Sequence, residues 1–409
     1  MTVELSPARA RAARMAVSVL FFANGAISAS VLPRLPAIKD SLGLSNSELG
    51  LAVAAAPIGG LLMGVFAGAL IARFGSGRVA TVAGTVTAGL LLGVGFAGSW
   101  AVLAAAFLVM GAFDATMDAA MNSHGIGVQR RYGRSILQGF HGMWSVGSMV
   151  AGAIGAVAAG LAVPVSVHLG LAGLAMAFAI LATARAMLPA AIADVHPAHE
   201  AALEPVTLRH APRLLRILAP IAMLGILCVI LQGSAATWSA VYLAEVLLQP
   251  QGLAALAYVV YMAAMVLGRL TNDRWVDRWG ERRIVRIGAL IGGAGVLAVI
   301  ASGPLAQPLL AFGGFAAVGL GTSPMFPVMV GVAGSRPGIP AGHGVALAAW
   351  MVRFGLVFAP AAVGLAADAF GLGAAFVIPL AAAVVIALAA GPLTGGPLGR
   401  RANRVPAGG

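Results

Sequence analysis

The chain has 409 residues, of which 60% are apolar and only 9% charged, and its formal charge is +12. A water-soluble domain carries about 25% charged residues, so this composition excludes a soluble globular protein. The positive charge does not point to nucleic acid either, because the arginines are scattered among the breaks between apolar runs rather than gathered on one segment.

About 20 apolar residues carry a helix across a bilayer's hydrocarbon core. Such spans are predicted over 13–35, 48–71, 79–98, 100–122, 137–160, 169–187, 217–243, 253–272, 284–302, 309–333, 342–367 and 374–392. The runs are continuous rather than alternating, which argues against a membrane β-barrel. The 55 glycines fit the same reading, since small residues let membrane helices approach closely. The expected fold is all-α, with twelve transmembrane helices in two six-helix bundles, 1–187 and 217–409, joined by a linker over 188–216 that holds Pro189, Pro197, Pro205 and Pro212.

Each connection must lie on one face of the membrane or the other. Of the 25 Lys and Arg, all fall on one face except Arg34 and Lys39, which fall on the opposite face, and Arg353, which lies inside a span. Cytoplasmic loops are the Lys/Arg-rich ones, so both termini are expected in the cytoplasm of a cell bounded by a bacterial inner membrane. The first span has a basic flank but is longer than a signal peptide's apolar core, and is expected to stay as a helix. Cys228 is the only cysteine, which leaves no internal disulfide. His199-Glu200 lacks the second His of a zinc-protease helix, because position 203 is Leu. No metal site, cofactor site or Gly-x-Ser-x-Gly elbow is predicted, and the chain is not expected to be an enzyme.

The halves are related. The second connection reads Gly68-Ala-Leu-Ile-Ala-Arg73-Phe-Gly75-Ser-Gly-Arg78, and the eighth reads Asp273-Arg-Trp-Val-Asp277-Arg278-Trp-Gly280-Glu-Arg282-Arg283. A shift of 205 (280 − 75) superposes the two glycines and the arginines that flank them. Gly147 and Gly355 sit in similar small-residue runs of the fifth and eleventh spans. Duplicated halves are what alternating-access transporters are built from.

At these loops the chain resembles the major facilitator superfamily, whose signature between helices 2–3 and 8–9 is of the Gly-x(3)-Asp-Arg-x-Gly-Arg-Arg type. Within it the chain is similar to the bacterial branch related to fucose:proton symporters, through Phe21-Phe-Ala-Asn24-Gly25, Arg34-Leu-Pro36-Ala-Ile-Lys39, Leu42 to Gly50, Asp118-Ala-Ala-Met-Asn122, Phe140-His141-Gly-Met-Trp144-Ser-Val-Gly147 and Trp238-Ser-Ala-Val-Tyr242-Leu. Departures are informative. Ala72 replaces the signature Asp of the first loop, whereas Asp277 keeps it in the second. Gly152-Ala153 stands where an antiporter signature has Gly-Pro, and Gln232 and Thr237 occupy positions of the seventh helix where relatives often carry acids. The resemblance implies a conformational latch from Arg73, Arg78, Asp273, Asp277, Arg278 and Arg282.

A charge in the bilayer core costs at least ~2.5–3.5 kcal/mol and therefore has a reason to be there. Asp114 and Asp118 are four apart on the fourth helix and share a face with Asn122. Two carboxylates one turn apart repel when both are ionised, which suits a proton carrier, and His141 at a similar depth is the third candidate for proton coupling. Arg353 lies at a depth that allows contact with Asp114, or a ligand shared with it. Asn24, Asn122, Trp144, Gln232, Trp238, Tyr242, Tyr258, Tyr261 and Trp350 supply amides and aromatic faces, a mixture suited to a polar, sugar-like solute. Pro324 and Pro327 are expected to interrupt the tenth helix. The function expected is secondary transport of a small polar solute by proton symport, with protons and membrane lipids as the other partners and a monomer as the expected state; a proton-coupled efflux antiporter is the alternative, and a non-transporting receptor or lipid-handling protein the alternative of another class.

Overall fold

The structure is a computed structural model that describes residues 6–132, 136–194, 211–334 and 341–393. The side chains at 7, 211–217, 273, 334, 341–352 and 392 lie outside the described residues, and so does 195–210, the greater part of the expected linker. Among the described residues twelve helices are long and apolar enough to cross a bilayer: α1 (Ala8–Leu42), α2 (Asn46–Phe74), α3 (Ser76–Gly95), α4 (Trp100–Tyr132), α5 (Leu137–Gly160), α6 (Val165–Ala186), α7 (Leu218–Glu245), α8 (Gln251–Asn272), α9 (Glu281–Ser302), α10 (Pro308–Ala333), α11 (Arg353–Phe370) and α12 (Leu372–Ala389). Large apolar side chains such as Phe66, Phe178, Leu270, Leu309 and Leu388 are exposed. Together they give the molecule a surface that a lipid phase solvates.

Local chemistry sets the helix ends. Ser45 and Glu48 form a reciprocal capping box that starts α2. Gly75 and Gly280 close α2 and the helix continuing α8, at φ 84° and 79°, a region that side-chain-bearing residues avoid. Their N–H groups donate to Ile71 O and Val276 O, both at 2.8 Å. The aligned glycines of the two loops thus do the same work in each half. In α10 the chain turns at Ser323-Pro324 between helices Pro308–Thr322 and Met325–Gly334. Pro327 makes no break. It sits in the first turn of the second piece, where a missing N–H is tolerated.

Packing repeats the symmetry. In the first half α1 lies along α5, α2 along α4, and α3 along α4 and α6; in the second, α7 lies along α11, α8 along α10, and α9 along α10 and α12. A side chain at Gly147 would strike Phe22 O of α1, and one at Gly355 would strike Ile226 O of α7. The similar small-residue runs therefore seat equivalent helix crossings. We expect Gly147→Ala to cost ~1–3 kcal/mol through overpacking, seen as a lower melting temperature in detergent. Gly89→Ala, where nothing stands within 4 Å, serves as the neutral control.

The halves meet along α2–α11 and α5–α8. At one end they are clamped. Lys39 at the end of α1 forms a salt bridge with Glu245 at the end of α7, and its Nζ also donates to Asn46 Oδ1 at 2.8 Å. Asp368 of α11 accepts from the backbone N–H groups of Asn46 and Ser47, both at 2.9 Å, and so caps α2 across the interface. Gly160 of α5 and Gly252 of α8 bring their backbones together at the same end. Toward the other end Gln138, His141, Gly142 and Asp277 are exposed.

Candidate solute and proton site

A cavity of about 290 Å³ lies between the halves, near the lower limit for a small-molecule site. Its walls come from α1, α2, α3 and α4 on one side and α7 and α11 on the other, and they are mostly apolar. Ser28, Thr87, Asp114, Thr237 and Arg353 supply the polar groups. Asp114 of α4 and Arg353 of α11 thus line one space from opposite halves. Among the described residues Lys39–Glu245 is the one salt bridge, so Arg353 stands across the cavity from Asp114 without pairing with it. The Arg353 guanidinium lies against α2 at Gly60, with Nη1 3.1 Å from where a side chain's first carbon would be. It is in electrostatic reach of both Asp114 and Asp118.

Asp114 is tied into a chain of contacts. Its Oδ1 accepts from Asn24 Nδ2 at 2.7 Å. Asn24 Oδ1 in turn accepts from Trp144 Nε1 at 2.9 Å. The guanidinium of Arg269 lies over the Trp144 ring, 5.9 Å from its centroid, and Arg269 Nη1 donates to Ser145 Oγ at 3.3 Å. One turn along, Asp118 accepts from Asn122 Nδ2 at 3.1 Å, within the same helix. His141 is exposed, packs edge-on to Phe21 with centroids 5.1 Å apart, and faces Asp118 electrostatically.

Several expected solute contacts are placed elsewhere. Tyr242 is fully buried, donates to Val299 O at 2.6 Å, and packs on Phe315 and Phe376 within the second half. Tyr261 is likewise buried and donates to Gln232 O at 3.2 Å. Gln232 lies beside Met265, its Nε2 3.9 Å from the sulfur. Trp238 is fully buried against Gly50 of α2, and Tyr258 against Gly152 of α5. These four aromatic residues are corrected from solute contacts to core and interface packing. A hydroxyl in a span reaches a backbone carbonyl more readily than an open cavity. Asn24 and Trp144 keep their place near the site, with their polar atoms engaged by one another. The side chains of Trp350 and Asp273 lie outside the described residues. Arg73, Arg78, Asp277, Arg278 and Arg282 are exposed at the end opposite the clamp, and among the described residues no salt bridge joins them across the halves.

Arg269 is the residue that sequence reasoning passed over. It was grouped with the loop arginines of the eighth connection, although it falls inside the span 253–272. That position, the same one that drew attention to Arg353, was the available signal.

A duplicated twelve-helix bundle whose seam holds a cavity with an acid from one half and an arginine from the other is the architecture of a membrane transporter. Residues 17–338 match the Major Facilitator Superfamily, and the chain belongs to it. An uncharacterised MFS-type transporter of Yersinia pestis is 30% identical over 89% of this chain and 91% of its own. Membrane protein MosC of Rhizobium meliloti is 28% identical over 91% and 88%. Among solved structures, the nucleoside transporter NupG aligns with TM-score 0.78 at 14% identity, covering 93% of this chain and 98% of its own. A D-xylose-proton symporter aligns at 0.75 and 15%, covering 93% and 97%. These distant structural likenesses concern the fold alone.

Proposed function

We propose that the protein is a proton-coupled symporter for a small polar, sugar-like solute, working by alternating access in a bacterial inner membrane. The observation that carries this reading is the pair Asp114 and Asp118 facing Arg353 across a cavity at the seam of the halves. A carboxylate there takes up a proton from one side and gives it to the other, while Arg353 offers a planar cation to a solute oxygen or carboxylate. The similarity to fucose:proton symporters in the loops and in the fourth and fifth helices supports the same class. The hydroxyl, carboxylate and guanidinium groups of Ser28, Thr237, Asp114 and Arg353 in an otherwise apolar cavity make a polyhydroxylated solute the first choice. The protein acts as a monomer, with one bundle rocking against the other.

A thermal-shift screen of sugars, sugar acids and nucleosides on the purified protein identifies the solute. Counterflow in proteoliposomes then establishes transport, and its absence for every stabilising compound would favour a receptor. Solute moving up its gradient with inward-flowing protons supports symport; movement against them supports the efflux antiporter.

The arginine-rich connections favour a cytoplasmic location for both termini and for the end opposite the Lys39–Glu245 clamp. Reporter tags at residues 130, 200 and 403 are therefore expected to read cytoplasmic, and tags near 40 or 249 the opposite side. A periplasmic reading at 200 would overturn the orientation.

A further inference from the structure

We propose that Asn24, Trp144 and Arg269 form a relay that reports the charge state of Asp114 to the α5–α8 contact between the halves. This rests on Asp114 being a proton carrier and adds the route by which its proton reaches the moving parts.

The argument begins with donors and acceptors. An indole N–H only donates, so the amide end that meets Trp144 must be the Asn24 oxygen, as found at 2.9 Å. The Asn24 NH₂ is thereby turned toward Asp114, which must present an acceptor, and does so at 2.7 Å. The arrangement is self-consistent for an ionised Asp114. A proton on the facing oxygen sets two donors against each other. A proton on the other oxygen turns a charge-assisted hydrogen bond into a neutral one of about half the strength. In either case Asn24 is held less firmly. If the amide rotates to accept from the carboxylic acid, it turns an N–H toward the indole N–H and the bond to Trp144 is lost.

Trp144 is the hinge of the relay. Its ring carries the Arg269 guanidinium at 5.9 Å, and its neighbour Ser145 accepts from the same side chain at 3.3 Å. Arg269 belongs to α8 and both partners belong to α5, so these contacts bind one half to the other. Arg269 Nε is buried with no hydrogen-bond partner among the described residues. The guanidinium therefore depends on Trp144 and Ser145 for its position. Loss of the indole anchor frees the surface on which Arg269 rests and loosens α5 against α8. Protonation on the carrier helix is read out as a change between the bundles. The other charged and titratable groups facing the relay are Asp118 on α4, His141 on α5, Tyr261 on α8, Cys228 on α7 and Arg353 on α11.

Spin labels at Gln138→Cys and Arg274→Cys, both exposed toward the end opposite the clamp, report the α5–α8 separation in the full chain carrying Cys228→Ala. The measurement is made in lipid nanodiscs without solute, by pulsed electron resonance at pH 8 and pH 5. The long-distance population is expected to grow at least threefold on acidification. Asp114→Asn should hold it high at both pH values. Trp144→Phe, which keeps the ring and deletes the N–H, should remove the pH response. Arg269→Gln should remove it too, and Arg269→Lys should restore part of it, which a merely structural role would not. His141→Gln should leave it in place. A full pH response in Trp144→Phe overturns the relay while leaving Asp114 as carrier. A full response in Asp114→Asn overturns the carrier reading itself, and a response abolished by His141→Gln moves the sensor to His141. No pH response in the parent protein sinks the relay.

Discussion

Asp114→Asn is expected to abolish uphill accumulation of solute under a pH gradient while leaving solute exchange at equal pH measurable. One pH unit is worth about 1.4 kcal/mol, so one coupled proton sustains roughly a tenfold solute gradient per unit. The expected accumulation ratio in the variant is the downhill limit. The amide is isosteric with the carboxyl, so the cavity wall persists and exchange survives even though Asn24 is held less firmly by a neutral partner. Asp118→Asn is the companion test, since Asp118 is one turn away and faces Arg353 and His141. Full pH-driven uptake in both variants would remove protons on this helix from the mechanism. Arg353→Gln separates the solute role from the proton role. Because Arg353 makes no salt bridge with Asp114, its loss strands no partner in a pair. The double variant with Asp114→Asn is expected to show roughly the sum of the two single effects on stability, and to lose both pH-driven uptake and solute affinity.

How much of this was legible beforehand depends on the range of the interaction. The helix count and the duplication follow from local signals. An apolar run of membrane length, or a glycine where φ is positive as at Gly75 and Gly280, is visible in a few residues. The carboxylates of α4 were also visible, because a charge inside a span is costly wherever its partner lies. The same rule applied to Arg269 would have found it, had its depth been read instead of its neighbours. The aromatic residues were not decidable from one helix. Tyr242 and Tyr261 carry hydroxyls that any cavity could use, yet the carbonyls of Val299 and Gln232 satisfy them. The Lys39–Glu245 bridge joins positions 206 residues apart, and Asp368 caps a helix more than 320 residues earlier in the chain. A cap is sought in sequence beside the helix start, as the structure has it for Ser45 and Glu48. A second cap from the other half leaves no local trace.

That second cap gives the other large expected effect. Asp368→Ala leaves the Asn46 and Ser47 N–H groups without their acceptor from α11, and loss of a helix cap costs ~0.5–2 kcal/mol. Here the cost falls only on the state in which the two halves touch at this end. The ratio of clamped to unclamped molecules should therefore drop by roughly 2- to 30-fold. Adding Lys39→Gln with Glu245→Gln removes the salt bridge without stranding a buried charge, and should shift the ratio further in the same direction. At the opposite end Ala72 stands where the family signature has Asp, so the first of the two loops lacks the acid that would hold that end shut. We therefore expect closure at the Lys39 end to be preferred for two reasons, the clamp on one side and, on the family resemblance, a latch acid missing on the other. Ala72→Asp should push the population the same way as Asp368→Ala, and Asp277→Asn should oppose both. Spin labels at Ser41→Cys and Leu248→Cys, exposed beside the clamp, read the separation directly in a Cys228→Ala protein. If Asp368→Ala and the Lys39/Glu245 pair both leave that separation unchanged, the clamp does not set the resting state, and the α2–α11 and α5–α8 packing alone must hold it closed.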